Sequence, residues 1–277
     1  MKKLNLLGAG KVGQTLFRLL AECHGYEIQD IAASTVESAR NAVAFIGKGH
    51  AVACLADMRA ADIWFLTVPD RAIGDMADQL AAHPSVGGGN EPIFVHCSGS
   101  LPSSVMAPLG ERGGALASLH PVLSFASPQE SCRQFAGTWC GLEGDATAKS
   151  ALKPLISAIG GNAFEIETQR KMLYHAAAVF SNNFTVVLQA IAQSAWSKAG
   201  LTDDAIQQIN RTLLASSIDN VVAVGPARAL TGPAARGDRI IVETQARLVE
   251  EWFGDAASIY RQMSELAQRL KEQGTLP

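Results

Sequence analysis

Paired cysteines, surplus charge and long hydrophobic runs are all missing from this chain, and each absence closes off a class of function. The five cysteines, Cys23, Cys54, Cys97, Cys132 and Cys140, show no Cys-x-x-Cys spacing and lie in or beside apolar segments. A cysteine-held metal and a disulfide framework are therefore not expected, and the thiols read as reduced and mostly buried. Twenty-three basic residues against 26 acidic ones leave a net charge of −3. That balance does not suit a protein that grips phosphate backbones, so nucleic acid is not an expected partner. The start Met1-Lys2-Lys3-Leu4 imitates the charged end of a signal peptide, but Gly8, Gly10, Lys11 and Gly13 interrupt the apolar run behind it. No cleavable or membrane-spanning segment is expected, and the protein reads as cytoplasmic. Internal repeats and low-complexity stretches are absent as well; Gly87-Gly88-Gly89-Asn90 reads as a surface loop.

What is present is an ordinary globular composition, 48% hydrophobic and 18% charged over 277 residues, enough for two domains. The first half alternates short apolar strands with amphipathic helices, the pattern of a parallel sheet covered on both faces. Strands are expected at 4–7, 28–33, 51–54, 63–68, 93–96, 115–119, 138–142 and 163–166, with a helix at about 146–158. After Thr168 the strand signal stops. Residues 171–198 read as one helix without a Gly or Pro break, Thr202 caps a second helix ending at Gly225-Pro226, a loop covers 225–238, and two amphipathic helices divided by Gly254 close the chain. The expected fold is therefore α/β: a Rossmann-type parallel-sheet domain over 1–167, followed by an all-α domain over 168–277. Four helices with apolar positions on several faces offer more hydrophobic surface than one small domain needs, which predicts a homodimer.

The most specific local pattern is Gly8-Ala9-Gly10-Lys11-Val12-Gly13, directly after the first strand and before the first helix. Gly8 permits the tight turn, Gly10 lets backbone approach a pyrophosphate, and Gly13 lets helix and strand pack closely, with the helix N-terminus facing the phosphates. One more absence then matters. NAD-binding folds of this kind end the second strand with an acid for the ribose 2′-hydroxyl, whereas this strand ends Ala32-Ala33-Ser34-Thr35. Ser34 and Thr35 can donate to a 2′-phosphate and Arg40 stands one turn on, so NADP is the expected cofactor. The plainer alternative is that Ser34 and Thr35 cap the next helix and Arg40 is a solvated charge.

Ligands of open parallel sheets bind beyond the carboxyl ends of the strands, which directs attention to Val68-Pro69-Asp70, to His96-Cys97-Ser98-Gly99-Ser100 and to Leu119-His120-Pro121. On the following helix, Lys171, His175, Ala178 and Asn182 share one stripe of an otherwise apolar segment. Buried without partners these polar groups would be costly, so either they serve a site or the fold satisfies them. The loop Leu230 to Asp238 clusters Thr231, Arg236 and Asp238, suited to holding a carboxylate or phosphate or to forming an internal Arg–Asp brace.

With these motifs, and with Tyr174-His175-Ala176-Ala177, Ser181-Asn182 and Thr231-Gly232-Pro233, the whole chain resembles a family of largely uncharacterised proteins in the 6-phosphogluconate dehydrogenase-like superfamily. The resemblance implies a Rossmann-like domain followed by a helical domain, and an NADP or deazaflavin-linked NADP oxidoreductase. More distantly, Ser98 with His120-Pro121 is similar to prephenate dehydrogenases, whose His-Pro histidine polarises a substrate hydroxyl. Lys171 resembles the catalytic lysine of β-hydroxyacid dehydrogenases, where an asparagine follows four residues later; here His175 stands in that place. The 225–238 loop differs from the proline-ring site of pyrroline-5-carboxylate reductases. The expectation is an NADP(H)-dependent oxidoreductase acting by hydride transfer on a small anionic carbonyl, hydroxy or imine substrate. His120, Lys171 or His175 would be the acid/base, with Asn182, Ser98, Arg236 and Asp238 placing the substrate; Val68 and Pro69 would flank the cofactor with Ser98. The alternatives are a non-catalytic NADP-sensing or scaffold protein and a deazaflavin-dependent NADP reductase.

Overall fold

A computed structural model describes residues 1–86 and 91–276 of the chain; the expected loop at 87–90 falls outside them. Contacts divide the chain into two compact units, Met1–Asn182 and Asn183–Pro277.

Eight strands form one sheet in unit 1: β1 (Lys2–Leu7), β2 (Tyr26–Ala32), β3 (His50–Ala51), β4 (Ile63–Leu66), β5 (Ile93–His96), β6 (Ala115–Pro121), β7 (Trp139–Gly144) and β8 (Asn162–Glu165). Their order is β3-β2-β1-β4-β5-β6-β7-β8, with the reversal of direction beside β1 that opens a crevice at the strand ends. Every neighbouring pair is parallel but one. The β6/β7 pair is antiparallel, with His120 opposite Gly141, a single exception in the parallel sheet that the sequence predicts. The link between these strands holds only the short helix Pro128–Gln134, and an antiparallel neighbour needs no full crossover helix on the sheet face.

Alternation along the strands builds a core on each side. Ile63 and Phe65 of β4 and Val95 of β5 join one cluster, with Leu4, Leu6 and Phe17; Trp64, Leu66 and Phe94 join the other, with Leu7, Ile73 and Met106. Phe17 meets Phe65 edge to face at 5.3 Å between ring centres, a geometry that adds about 1 kcal/mol to the area both rings bury. The helices on this sheet are α1 (Lys11–Leu20), α2 (Val36–Ile46), α3 (Ile73–Ala81), α4 (Ala107–Gly110), α5 (Pro128–Gln134), α6 (Ala146–Ala158) and α7 (Lys171–Ala178).

The single helix expected over 171–198 is interrupted. After α7 the backbone widens into a π turn, Val179–Phe184, before α8 (Thr185–Lys198) resumes. A π turn carries an extra residue, so the side-chain register shifts across it and Asn182 leaves the stripe of Lys171 and His175. Unit 2 continues with α9 (Asp203–Val224), capped by Thr202, whose hydroxyl accepts from Ala205 N. The region expected to be plain loop contains two short helical turns, α10 (Pro226–Ala229) and α11 (Pro233–Arg236), each opened by a proline after a glycine with positive φ. Helices α12 (Arg239–Trp252) and α13 (Gly254–Gln273) end the chain. Among the described residues no helix is long and apolar enough to cross a membrane.

Candidate active site

The glycine turn between β1 and α1 is built for close approach. Gly8 has φ +89°, and a Cβ there would lie 2.7 Å from Val68 N, so a side chain would collide with backbone. Thr67, which the sequence had not singled out, donates its hydroxyl to the Gly8 carbonyl and ties the turn to the end of β4. A cleft of about 760 Å³ opens above it, large enough for a substantial part of a dinucleotide. Of the residues selected from sequence, Gly8, Ala9, Gly10, Ser34, Val68 and Pro69 line this cleft, and Ser38 joins them. Lys11, Val12 and Gly13 belong to the first turn of α1, whose free N–H groups favour an anion.

Thr35 and Arg40 are placed otherwise. Thr35 caps α2: its hydroxyl accepts from Ser38 N at 3.1 Å and donates to Ser38 Oγ at 2.9 Å. Arg40 is exposed and outside the cleft lining. Among the described residues no acidic residue lines the cleft. Asp30, the carboxylate on β2, is buried and engaged by Arg59, whose Nη2 lies 2.6 Å from Oδ1.

Two strands further on, the segment after β5 is pinned by its own hydrogen bonds. Ser98 Oγ donates to Asp70 Oδ2 at 2.7 Å and accepts from the N–H groups of Ser100 and Leu101. His96 Nδ1 accepts from Ser98 N, so Nε2 carries the proton and donates to the Pro102 carbonyl at 3.2 Å. Burial, with Lys171 nearby, pushes the His96 pKa down to about 4; this ring is a neutral structural post.

Lys171 closes the segment from the other side. It is 1% exposed, and its Nζ donates to the Ser98 carbonyl at 2.7 Å. Desolvation lowers its pKa to about 8, opposed by the charges of Glu143 and Asp70. Glu143 was not among the residues read from sequence. It is 2% exposed on β7 and accepts four hydrogen bonds, from Ser103 N, Ser103 Oγ, Ser118 Oγ and Thr168 Oγ1, at 2.8 to 3.0 Å. A buried carboxylate needs such a set of donors. Its signal in sequence was faint: one acid in the otherwise apolar strand Trp139–Gly144.

His120 and His175 meet over Gly99. Their ring centres are 5.7 Å apart at 68°, and a Cβ on Gly99 would lie 2.8 Å from His120 Nε2 and closer still to His175 Cδ2. The glycine is thus what lets both rings sit on the β5 segment. His120 Nδ1 lies 2.7 Å from Tyr174 Oη. Burial first, then the neighbouring His175 and Lys171, push the His120 pKa down to about 4, and burial pushes Tyr174 up to about 12. His120 is therefore a neutral imidazole at physiological pH, next to a phenol that keeps its proton. Asn182 is exposed in the π turn Val179–Phe184. Arg236 and Asp238, in unit 2, bind each other: Nη2 and Nε lie 3.1 and 3.2 Å from Asp238 Oδ2, with the arginine 62% exposed. Among the described residues no group of three or more His, Cys, Asp or Glu is arranged to hold a metal ion.

Comparison with known families and structures agrees with this architecture. Residues 2–121 match the model of a Rossmann-like domain, and residues 138–267 match a domain of unknown function, DUF2520. No match is found among curated proteins. The crystal structure of protein TM1727 from Thermotoga maritima is 29% identical over 98% of this chain and 99% of that one, with a TM-score of 0.75. A candidate NADP oxidoreductase from Bacteroides fragilis, BF3122, is 22% identical over 97% and 98%, with a TM-score of 0.78. The 1-pyrroline-5-carboxylate reductase of Streptococcus pyogenes shares the fold at 16% identity over 97% and 99%, with a TM-score of 0.60.

Proposed function

We propose that this chain, which joins a Rossmann-like domain to a DUF2520 domain, is an NADP(H)-dependent oxidoreductase that transfers hydride to or from a small anionic carbonyl, hydroxy or imine compound. The observation that carries the reading is the glycine turn at the end of β1, with its open cleft, in line with His120 at the end of a neighbouring strand and the His175 ring packed against it. Adjacent strands are spaced about 4.8 Å apart, so β1 and β6, separated by β4 and β5, hold the turn and His120 about 14 Å apart across the sheet. A dinucleotide laid along the strand ends spans such a distance. The nicotinamide, when bound, supplies or accepts the hydride.

The chain's own groups do the rest. His120 offers a ring nitrogen to the substrate oxygen or nitrogen, and the His175 ring stands beside it. The Asp70, Ser98 and Lys171 bonds fix the backbone on which both rings sit, the preorganisation that makes a polar site effective. For the cofactor, Ser34 and Ser38 in a lining without a carboxylate favour a 2′-phosphate over a free 2′-hydroxyl. Within unit 2, Arg236, braced by Asp238, is proposed to hold an anionic group. The functional particle is proposed to be a homodimer, on the strength of the apolar side chains that unit 2 leaves exposed.

The test is loss of reduced-nicotinamide absorbance with a panel of 2-keto, 3-keto and cyclic imine acids. One or more members should turn over, and His120→Ala should lower kcat by about 100-fold or more while NADPH affinity stays within a factor of two. Binding without turnover for the whole panel, even with a reduced deazaflavin added, would favour a sensing or scaffold role and overturn the proposal.

A further inference from the structure

Tyr174 belongs to no role assigned so far, yet the fold goes to some length to place its hydroxyl. Gly141 stands directly opposite His120 on β7, and a Cβ at Gly141 would lie 3.1 Å from Tyr174 Oη. The missing side chain leaves the slot into which the hydroxyl reaches. The Tyr174 ring is held in turn by Phe164 at 5.8 Å, and Phe164 by Trp139 at 6.1 Å, both tilted edge to face. Tyr174 also meets the His120 ring edge to face at 86°, with its hydroxyl 2.7 Å from Nδ1, a hydrogen-bond distance.

From this geometry we infer that Tyr174 is a positioning residue that donates its hydroxyl proton to His120 Nδ1 and fixes the ring as the tautomer protonated on Nε2. A phenol hydroxyl is a good donor and a bare imidazole nitrogen a good acceptor, and the bond at one ring nitrogen decides which nitrogen carries the proton. Nε2, the atom beside the Gly99 backbone, is then the one left to donate. Resting on the oxidoreductase reading, the consequence is that His120 meets the substrate as a hydrogen-bond donor and not as a base. It polarises a carbonyl or imine before hydride arrives, and it receives no proton in the ground state. The charged and titratable neighbours, His175 and Lys171 on α7 and Asp70 after β4, act on whether the ring is charged. They leave the choice between its two neutral forms to Tyr174.

The test is nitrogen-15 NMR of the histidine rings in the full-length protein, with His120 assigned by its loss in His120→Gln. In wild type, His120 should show a bare Nδ1 and a protonated Nε2 throughout pH 6 to 8. In Tyr174→Phe, which keeps the ring packing, Nδ1 should gain partial protonation and the ring should titrate about one unit higher, because a bond that favours the neutral form is gone. A protonated Nδ1 in wild type, or identical signals in both proteins, would overturn the inference. The wild-type spectrum decides even should the variant fail to fold. The two readings fail separately. A correct tautomer with no turnover on any substrate sinks the oxidoreductase reading alone, whereas turnover that depends on His120 with the opposite tautomer sinks this one alone.

Discussion

Strand β4 is wholly apolar and helix α9 half so, and their apolar residues meet opposite fates. All four residues of β4 are buried, shared between the cores on the two faces of the sheet. Of the 22 residues of α9 only Ile206 is buried, while Leu213, Ile218, Val221 and Val222 are exposed, the last at 81%. The exposed residues at 218, 221 and 222 follow the i, i+3, i+4 rhythm of one helix face, and on α12 Ile241 and Leu248, seven residues apart, share a face. A strand in a doubly wound sheet finds helices above and below it in its own chain. The helices of unit 2 have apolar faces that their own unit does not cover. Unit 1 thus holds the packed sheet core and the cleft, and unit 2 the exposed apolar faces on which the proposed dimer would form.

The largest effect that would break this contrast is a core truncation. Phe65→Ala should cost about 3 to 5 kcal/mol, read as a fall in the urea midpoint, because Phe65 is fully buried against Phe17. Val222→Asp should leave the fold intact and act on assembly. Light scattering of wild type should give twice 29.2 kDa and of the variant once that value; a monomeric wild type would break the comparison by showing that these faces stay bare.

An effect of similar size belongs to pH. His96 is fully buried with its pKa lowered from 6.5 to about 4, so the unfolded state binds the proton first. Stability is complete above pH 6.5 and declines as pH falls toward 4, by about 3 kcal/mol for this residue alone. His120 adds a loss of the same sign. Denaturation midpoints measured from pH 7.5 to 4.5 check it, and a flat profile would show that these rings are not held neutral.

The smallest effect concerns Arg236. Its Ala variant should raise substrate KM by about tenfold with kcat little changed, as expected when one charge-assisted contact is lost uniformly. An unchanged KM would reduce the Arg236–Asp238 pair to an internal brace.

Much of unit 1 was legible because its signals are local. Period-two apolar runs, a Gly-x-Gly-x-x-Gly between strand and helix, and the turn at Gly160-Gly161 each act within a few residues; the 146–158 helix fell where its pattern put it. What was not legible depends on pairing across the chain. The antiparallel β6/β7 register brings Gly141 opposite His120 and Glu143 opposite Ser118, so neither the Tyr174 slot nor the buried carboxylate announces itself in any one segment. The π turn at Val179–Phe184 contains no Gly or Pro, and nothing in its composition marks it. Thr35 shows the reverse limit: a hydroxyl at a strand end fits a phosphate contact and a helix cap equally well, and the structure shows its bond to Ser38 at the start of α2.

The account rests on unit 1 being a nicotinamide dinucleotide site that prefers the 2′-phosphate, and calorimetric titration of the full-length protein with NADPH and NADH tests that most directly. Saturable binding of NADPH at least tenfold tighter than NADH, a difference of about 1.4 kcal/mol, is the predicted result, with the preference reduced in Ser34→Ala and retained in Arg40→Ala. Equal affinities would contradict the choice of cofactor, and no saturable binding of either nucleotide would contradict the site itself.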